Sequence, residues 1–176
     1  MKRIFFVVMM LLFARISALP QSNDPLEKES LKGLSGVHVY LNLTEDSPSL
    51  EKDGLTEAQI RTDVEIRLRK AGIRVLTIDE AKELPRRPVL SVTLLASKNE
   101  ALTKVFGESI YAYTIQIDFK QTATLYHSTD NKVFLVTTWS NSAVGMTTKR
   151  NVRTIREGIG DYVDKFINDY LAANPR

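Results

Sequence analysis

The sequence predicts an α+β domain. It is a two-layer sandwich in which a mixed, mostly antiparallel sheet carries two main helices on one face, in the order β-α-β-β-β-β-α. Three observations predict it. Long segments alternate apolar and polar residues with the period of two that a half-buried strand requires. Two other segments repeat apolar residues at helical spacing along a single stripe, so each has one buried side. The first of these helices lies between two strand segments with little chain to spare, which predicts a parallel βαβ unit with a right-handed crossover.

The elements follow in order. Residues 19–35 are polar and mixed, and read as a tether. Within them "DPLEKESL" suits one or two helical turns, with Asp24 as cap and Pro25 at the first helical position. "GVHVYLNLT" is the first strand: Val37, Val39, Leu41 and Leu43 alternate with His38, Tyr40, Asn42 and Thr44. "EDSPSLEKDG" reads as a loop. "LTEAQIRTDVEIRLRKAG" is the best-marked helix. Thr56 and Gln59 form a capping box, Leu55 and Ile60 a hydrophobic staple, and Gly72 a left-handed exit. Its stripe is Ile60, Val64, Leu68 and Ala71.

"IRVLT" is a short strand, and "DEAKEL" a helical turn stopped by Pro85 and Pro88. "VLSVTLLAS" buries Leu90, Val92, Leu94 and Ala96, and residues 98–108 read as a loop or a fraying hairpin. "SIYAYTIQIDFKQTATLYHS" is the longest strand, with Tyr111, Tyr113, Ile115, Ile117 and Phe119 in one phase. "STDN" turns the chain and "KVFLVTTWSNS" returns antiparallel. The last helix runs from about 149 to 172 on Val152, Ile155, Ile159, Val163, Phe166 and Tyr170, and "NPR" ends it. The other face of the sheet then carries Ser91, Thr93, Thr114, Gln116, Asp118, Lys120, Thr122 and Thr124, with Gln116 and Asp118 exposed. Gly158 and Gly160 mark either a close backbone approach or an imperfect helix.

The first residues, "MKRIFFVVMMLLFARISALPQ", have the layout of a secretory signal peptide. Lys2 and Arg3 precede an apolar run from Ile4 to Phe13, and Ser17 and Ala18 are small residues suited to cleavage. That run is well short of the ~20 residues that span a bilayer, so the expected mature chain has no membrane span. An uncleaved anchor is the alternative. The expected division is a signal peptide at 1–18, a tether at 19–35 and one α+β domain at 36–176. The whole chain has 24 Lys+Arg and 21 Asp+Glu. Residues 1–18 hold Lys2, Arg3 and Arg15 and no acid, so the mature chain has formal net charge zero. It lacks the basic excess of a general nucleic-acid binder. It has no cysteine, hence no disulfide and no cysteine-linked lipid anchor. For an exported domain this favours a bacterial envelope protein.

No catalytic constellation stands out. Nucleophilic catalysis by serine needs a positioned base. His38 lies in the polar phase of a strand and His127 at a hairpin turn, and both read as structural or exposed. Two separated histidines and scattered acids make no metal site, and no cofactor is expected. "GLSG" at 33–36 is a turn before a strand rather than a phosphate loop. A hydrolase with dispersed acids ranks last among the function classes.

The segment "TTWSNSAVGMTTKRNVRTIR" is the candidate binding site. Trp139 stands near a strand end, where it either packs in the core or offers a partly exposed ring. Lys149, Arg150, Arg153 and Arg156 start the last helix. At about 100° per residue, Lys149, Arg153 and Arg156 share a face about 60° wide. Cations there oppose the helix dipole and invite a partner, which is either an acidic loop such as "TEDSPSLEKD" or an anionic ligand.

"GLTEAQIRTDVEIRLRKAGIRVL", "TTWSNSAVG" and "IREGIGDYVDKFINDYLAANP" resemble segments of a family of small exported bacterial α/β proteins whose activity is uncharacterised. The likeness covers most of 36–175 and brings no catalytic motif with it. More loosely, the element order resembles the amino-terminal domain of the Tol-system protein TolB and related envelope domains, which is a likeness of fold alone. The expectation is an exported, periplasmic or secreted, non-enzymatic binding or accessory protein. Its partner would be an envelope protein or envelope component, held on the wet sheet face or an exposed strand edge. The alternative is a small-ligand or anion binder that uses Arg150, Arg153 and Arg156 near Trp139.

Overall fold

The computed structural model describes residues 24–43, 47–126 and 132–175. The expected signal segment 1–18, His127 and the turn at 128–131 lie outside the described residues. The strands among the described residues are β1 (Val37–Leu43), β2 (Val75–Leu76), β3 (Val89–Lys98), β4 (Ile110–Thr124) and β5 (Val133–Thr148). They form one sheet in the order β2-β1-β3-β4-β5. β1 pairs parallel with β2 and β3, and β4 pairs antiparallel with β3 and β5. The helices are α1 (Pro25–Glu29), α2 (Ser47–Lys52), α3 (Glu57–Lys70), α4 (Ile78–Glu83), α5 (Glu100–Phe106) and α6 (Arg153–Ala173).

The core lies between one sheet face and the two long helices, as the one-sided stripes require. Ile60, Val64 and Leu68 of α3 and Ile155, Ile159, Val163 and Phe166 of α6 are buried with Val39, Leu41, Leu90, Val92, Ile115, Ile117 and Phe119 of the sheet. The capping box of α3 forms as the sequence predicts, and Gly72 leaves the helix at φ +77°. The two glycines of α6 have a side-chain cause. A Cβ on Gly160 would stand 2.6 Å from Nη2 of Arg67, whose guanidinium crosses the helix to pair with Asp164. A Cβ on Gly158 would meet Ile115 at 3.1 Å.

Several local expectations change. The predicted loop at 98–108 contains α5, capped at one end by Asn99, which accepts from the Leu102 N–H, and at the other by left-handed Gly107. The predicted loop after β1 contains α2. The tether does not hang free over its described part. Leu31 and Leu34 are buried in the core, and Arg86 donates to the Ser30 and Lys32 carbonyls. Leu31 and Leu34 decide this, since Leu26, the other leucine of 24–35, stays exposed. β5 runs on to Thr148, and a 3-10 turn at Lys149–Asn151 precedes α6. Alternation persists through "SAVGMTT", so pairing with β4 continues to Ile110↔Thr148.

The open face is also less wet than expected. Ser91 and Asp118 are buried there. Both sit mid-sheet in the row Tyr40, Ser91, Asp118, Ser140, and longer neighbours close over them. Asp118 accepts from Ser140 Oγ at 2.7 Å and from Gln116 Nε2 at 3.0 and 3.1 Å, with Lys120 Nζ at 3.8 Å.

Candidate functional site on the open sheet face

The residues singled out in the sequence do not come together as a site. Trp139 is 2% exposed, so its ring is not available to a ligand. It packs edge-on against Phe166 at 5.3 Å, and its Nε1–H donates to Asp169 Oδ2 at 3.0 Å. The correction follows from the bulge between Phe119 and Lys120, which sets Trp139 opposite Phe119 on the core face. Each of the four cations has a carboxylate of the same chain. Lys149 Nζ meets Asp53 at 2.7 Å, Arg150 meets Glu108 at 3.4 Å, and Arg153 meets Glu157 at 4.0 Å. Arg156 forms a forked pair with Asp63, with Nη2–Oδ1 at 2.7 Å. Asp53 lies in the acidic segment between β1 and α3.

These pairs leave a signature in the carboxyl groups. The hydrogen bond from Arg156 outweighs partial burial and holds Asp63 below its ordinary value of 3.8. Burial pushes Asp53 up, and hydrogen bonds from Lys149 and Tyr111 more than offset it, so Asp53 also ends low. A depressed folded-state value means that the stability is fully present above the unfolded value. It is lost as pH falls through the folded one. Both partners of the Arg156–Asp63 pair are partly exposed, so Arg156→Ala is expected to cost no more than about 1 kcal/mol at neutral pH. The difference from wild type should be constant above about pH 5 and shrink below about pH 4. Arg153→Ala, whose pair is almost fully solvated, should be near-neutral at every pH. Urea unfolding at pH 7, 5 and 3 reads all three proteins. A pH-independent Arg156→Ala effect would contradict the pairing.

The structure instead builds a concavity of about 740 Å³ on the open face, spanning β1 to β5 beneath α4 and the turn after it. Its floor is His38 and Tyr40 of β1, Ser91 of β3, and Lys120 and Thr122 of β4. One wall is α4 with the turn that follows it, and the other is Val133 and Leu135 of β5. The walls are apolar yet open to solvent: Tyr40, Ile78, Val133 and Leu135 are each more than half exposed.

Local chemistry places each wall. Thr77 caps α4 in a capping box with Glu80, which turns the chain over the sheet directly after β2. The turn "LPRRP" is then tied down to β4. Thr122 donates its N–H to the Arg86 carbonyl at 2.8 Å and its hydroxyl to the Pro85 carbonyl at 2.8 Å. Arg86 donates from Nε to Gln121 Oε1 at 2.6 Å. Arg87, between two fixed points, is held at φ +45°, which is costly for a residue with a side chain. It lines the cleft. His38 Nδ1 lies 3.1 Å from the Leu76 carbonyl oxygen, which only accepts, so Nδ1 carries the proton and Nε2 is the acceptor of the neutral ring.

The cleft thus offers apolar walls with cationic groups at Lys82, Arg87 and Lys120 and an acid at Glu83; Lys82 pairs with Asp79 at 3.2 Å and Lys120 lies 3.8 Å from Asp118, while Arg87 is exposed. That arrangement suits an amphipathic ligand with an acidic group. The sequence placed Ser91, Lys120 and Thr122 on the open face and His38 and Tyr40 in the polar phase of β1, but did not bring them together with α4, the following turn and the start of β5. The available signals were Tyr40 standing in the polar phase of β1, and the doubly proline-locked arginines of "LPRRP". Among the described residues no helix is long and apolar enough to cross a membrane. No family model matches the chain, and no curated protein matches it.

Proposed function

We propose that this chain is an exported, non-enzymatic binding or accessory protein of the cell envelope, and that it holds an acidic, apolar segment of an envelope partner in the open-face cleft. One observation carries the reading. The cleft exposes Tyr40, Ile78, Val133 and Leu135 together beside Lys120 and Arg87, on a sheet face that no long helix among the described residues covers. Exposed apolar side chains grouped beside cations mark a recognition surface rather than a solvated one. The export part rests on the amino-terminal layout of a charged start, an apolar run and small residues.

The test is site-specific photo-crosslinking in cells that export the protein. A photoreactive residue at Tyr40 or Leu135 is expected to trap a partner of defined mass, while the same residue at Lys70, exposed on α3, traps none. The intact mass of the same material should place the amino terminus near Leu19. Equal yields at all three positions, or none at the cleft positions, would overturn the cleft reading. A retained Met1 would overturn cleavage.

A further inference from the structure

β5 is the outermost strand of the sheet, sixteen residues long. Its edge is open in a way that natural edges are usually not. Lys149 N–H donates to the Ser109 carbonyl at 2.9 Å, one step beyond the pair Ile110↔Thr148. Alternate residues of an antiparallel strand bond to the same neighbour, so residues 141, 143, 145 and 147 turn their backbone groups toward β4. Ser140, Ser142, Val144, Met146 and Thr148 turn theirs outward. Among the described residues none of these five makes a backbone bond outside the β4 ladder.

Edges are normally blunted by charged residues, prolines or bulges. β5 contains no charged residue and no proline. Its one irregularity falls at Thr138, whose carbonyl oxygen lies 3.2 Å from Ser30 Oγ at the end of α1. Those two devices stop pairing at the middle of the strand and leave 140–148 free. The opposite edge is the two-residue β2, too short to be a template. The free stretch of β5 carries exposed Val144 and Met146 on its open face. Met146 also lines an apolar groove of about 460 Å³ with Leu102, Val105 and Phe106.

We propose that residues 140–148 of β5 pair antiparallel with the same residues of a second copy of this chain, in a register centred on Val144. The two sheets then become one. The second copy is the occupant for two reasons. This register sets outward-facing residues against outward-facing residues: 140 opposite 148, 142 opposite 146, and Val144 opposite its own copy. It brings no like charges together, because the strip has none. The two open faces become continuous across the axis.

The full chain, purified from cells expressing it, should sediment at twice the monomer mass at micromolar concentration and dissociate on dilution. Val144→Lys and Val144→Glu should each be monomeric, and mixing them should restore a mixed dimer. The chain has no cysteine of its own, so Val144→Cys supplies one. Facing residues of a hydrogen-bonded pair have Cα atoms about 5.5 Å apart, within disulfide reach. Oxidised glutathione should therefore convert Val144→Cys to a covalent dimer at least tenfold faster than Tyr40→Cys. A monomeric wild type, or equal crosslinking of the two cysteine variants, overturns the proposal. The cysteine comparison stands even if the charged variants fail to fold.

Discussion

Trp139→Ala is expected to lower stability by about 3–5 kcal/mol, the range for removing a large aromatic side chain from a core. Trp139 joins three elements. Its ring meets Phe166 of α6, and its indole N–H donates to Asp169, which also pairs with Lys28 of α1 at 3.1 Å. Alanine leaves a cavity under α6 and takes one donor from a buried carboxylate. Trp139→Phe separates the two terms. It keeps most of the volume and loses the donor, so it should cost about 1–3 kcal/mol, the usual penalty for a buried acceptor left short. The chain has one tryptophan, so wild-type unfolding is read by its fluorescence and the variants by circular dichroism in urea. A loss below about 1 kcal/mol for Trp139→Ala would remove Trp139 from the core.

Ile117→Ala is expected to cost about 2–5 kcal/mol, while Gln116→Ala, one position away, stays within about 1 kcal/mol. Ile117 is completely buried between Val92 and Asn141 on the helix-covered face. Gln116 points to the open face and gives Asp118 two of its contacts, with Ser140 and Lys120 remaining as donors when it is lost. The contrast measures how differently the two faces are covered. Equal costs would mean that both faces are packed, and a cleft exposed for binding would not exist.

The two long helices and the four longer strands were legible because each carries its own periodic signal, and the two-residue β2 was legible from its place after α3. Ile60, Val64 and Leu68 mark α3, Ile155 to Phe166 mark α6, and the odd residues of β4 mark its buried phase. The two short helices α2 and α5 were missed. A helix of six or seven residues has too few turns to show a period, and α5 buries nothing. Its capping residues, Asn99 and Gly107, were the available signal. The cleft was missed for a different reason. Its residues come from β1, α4, the "LPRRP" turn, β4 and β5, and no local pattern connects them.

By itself the sequence determined the α+β class, the two one-sided helices, the strand phases and the absence of cysteine. Those properties follow from periodicity and composition, which are local. Only the tertiary structure decided whether Trp139 is packed or offered, because one bulge opposite Lys120 sets the face on which it falls. Only the structure decided that the basic start of α6 is spent on Asp53, Glu108, Glu157 and Asp63, since three of these four acids come from other elements. Likewise Leu31 looks like an isolated apolar residue in a polar tether until the end of α6 and the edge of the sheet close around it. Burial and charge pairing depend on distances between segments far apart in the chain, and a one-dimensional pattern carries no such distances.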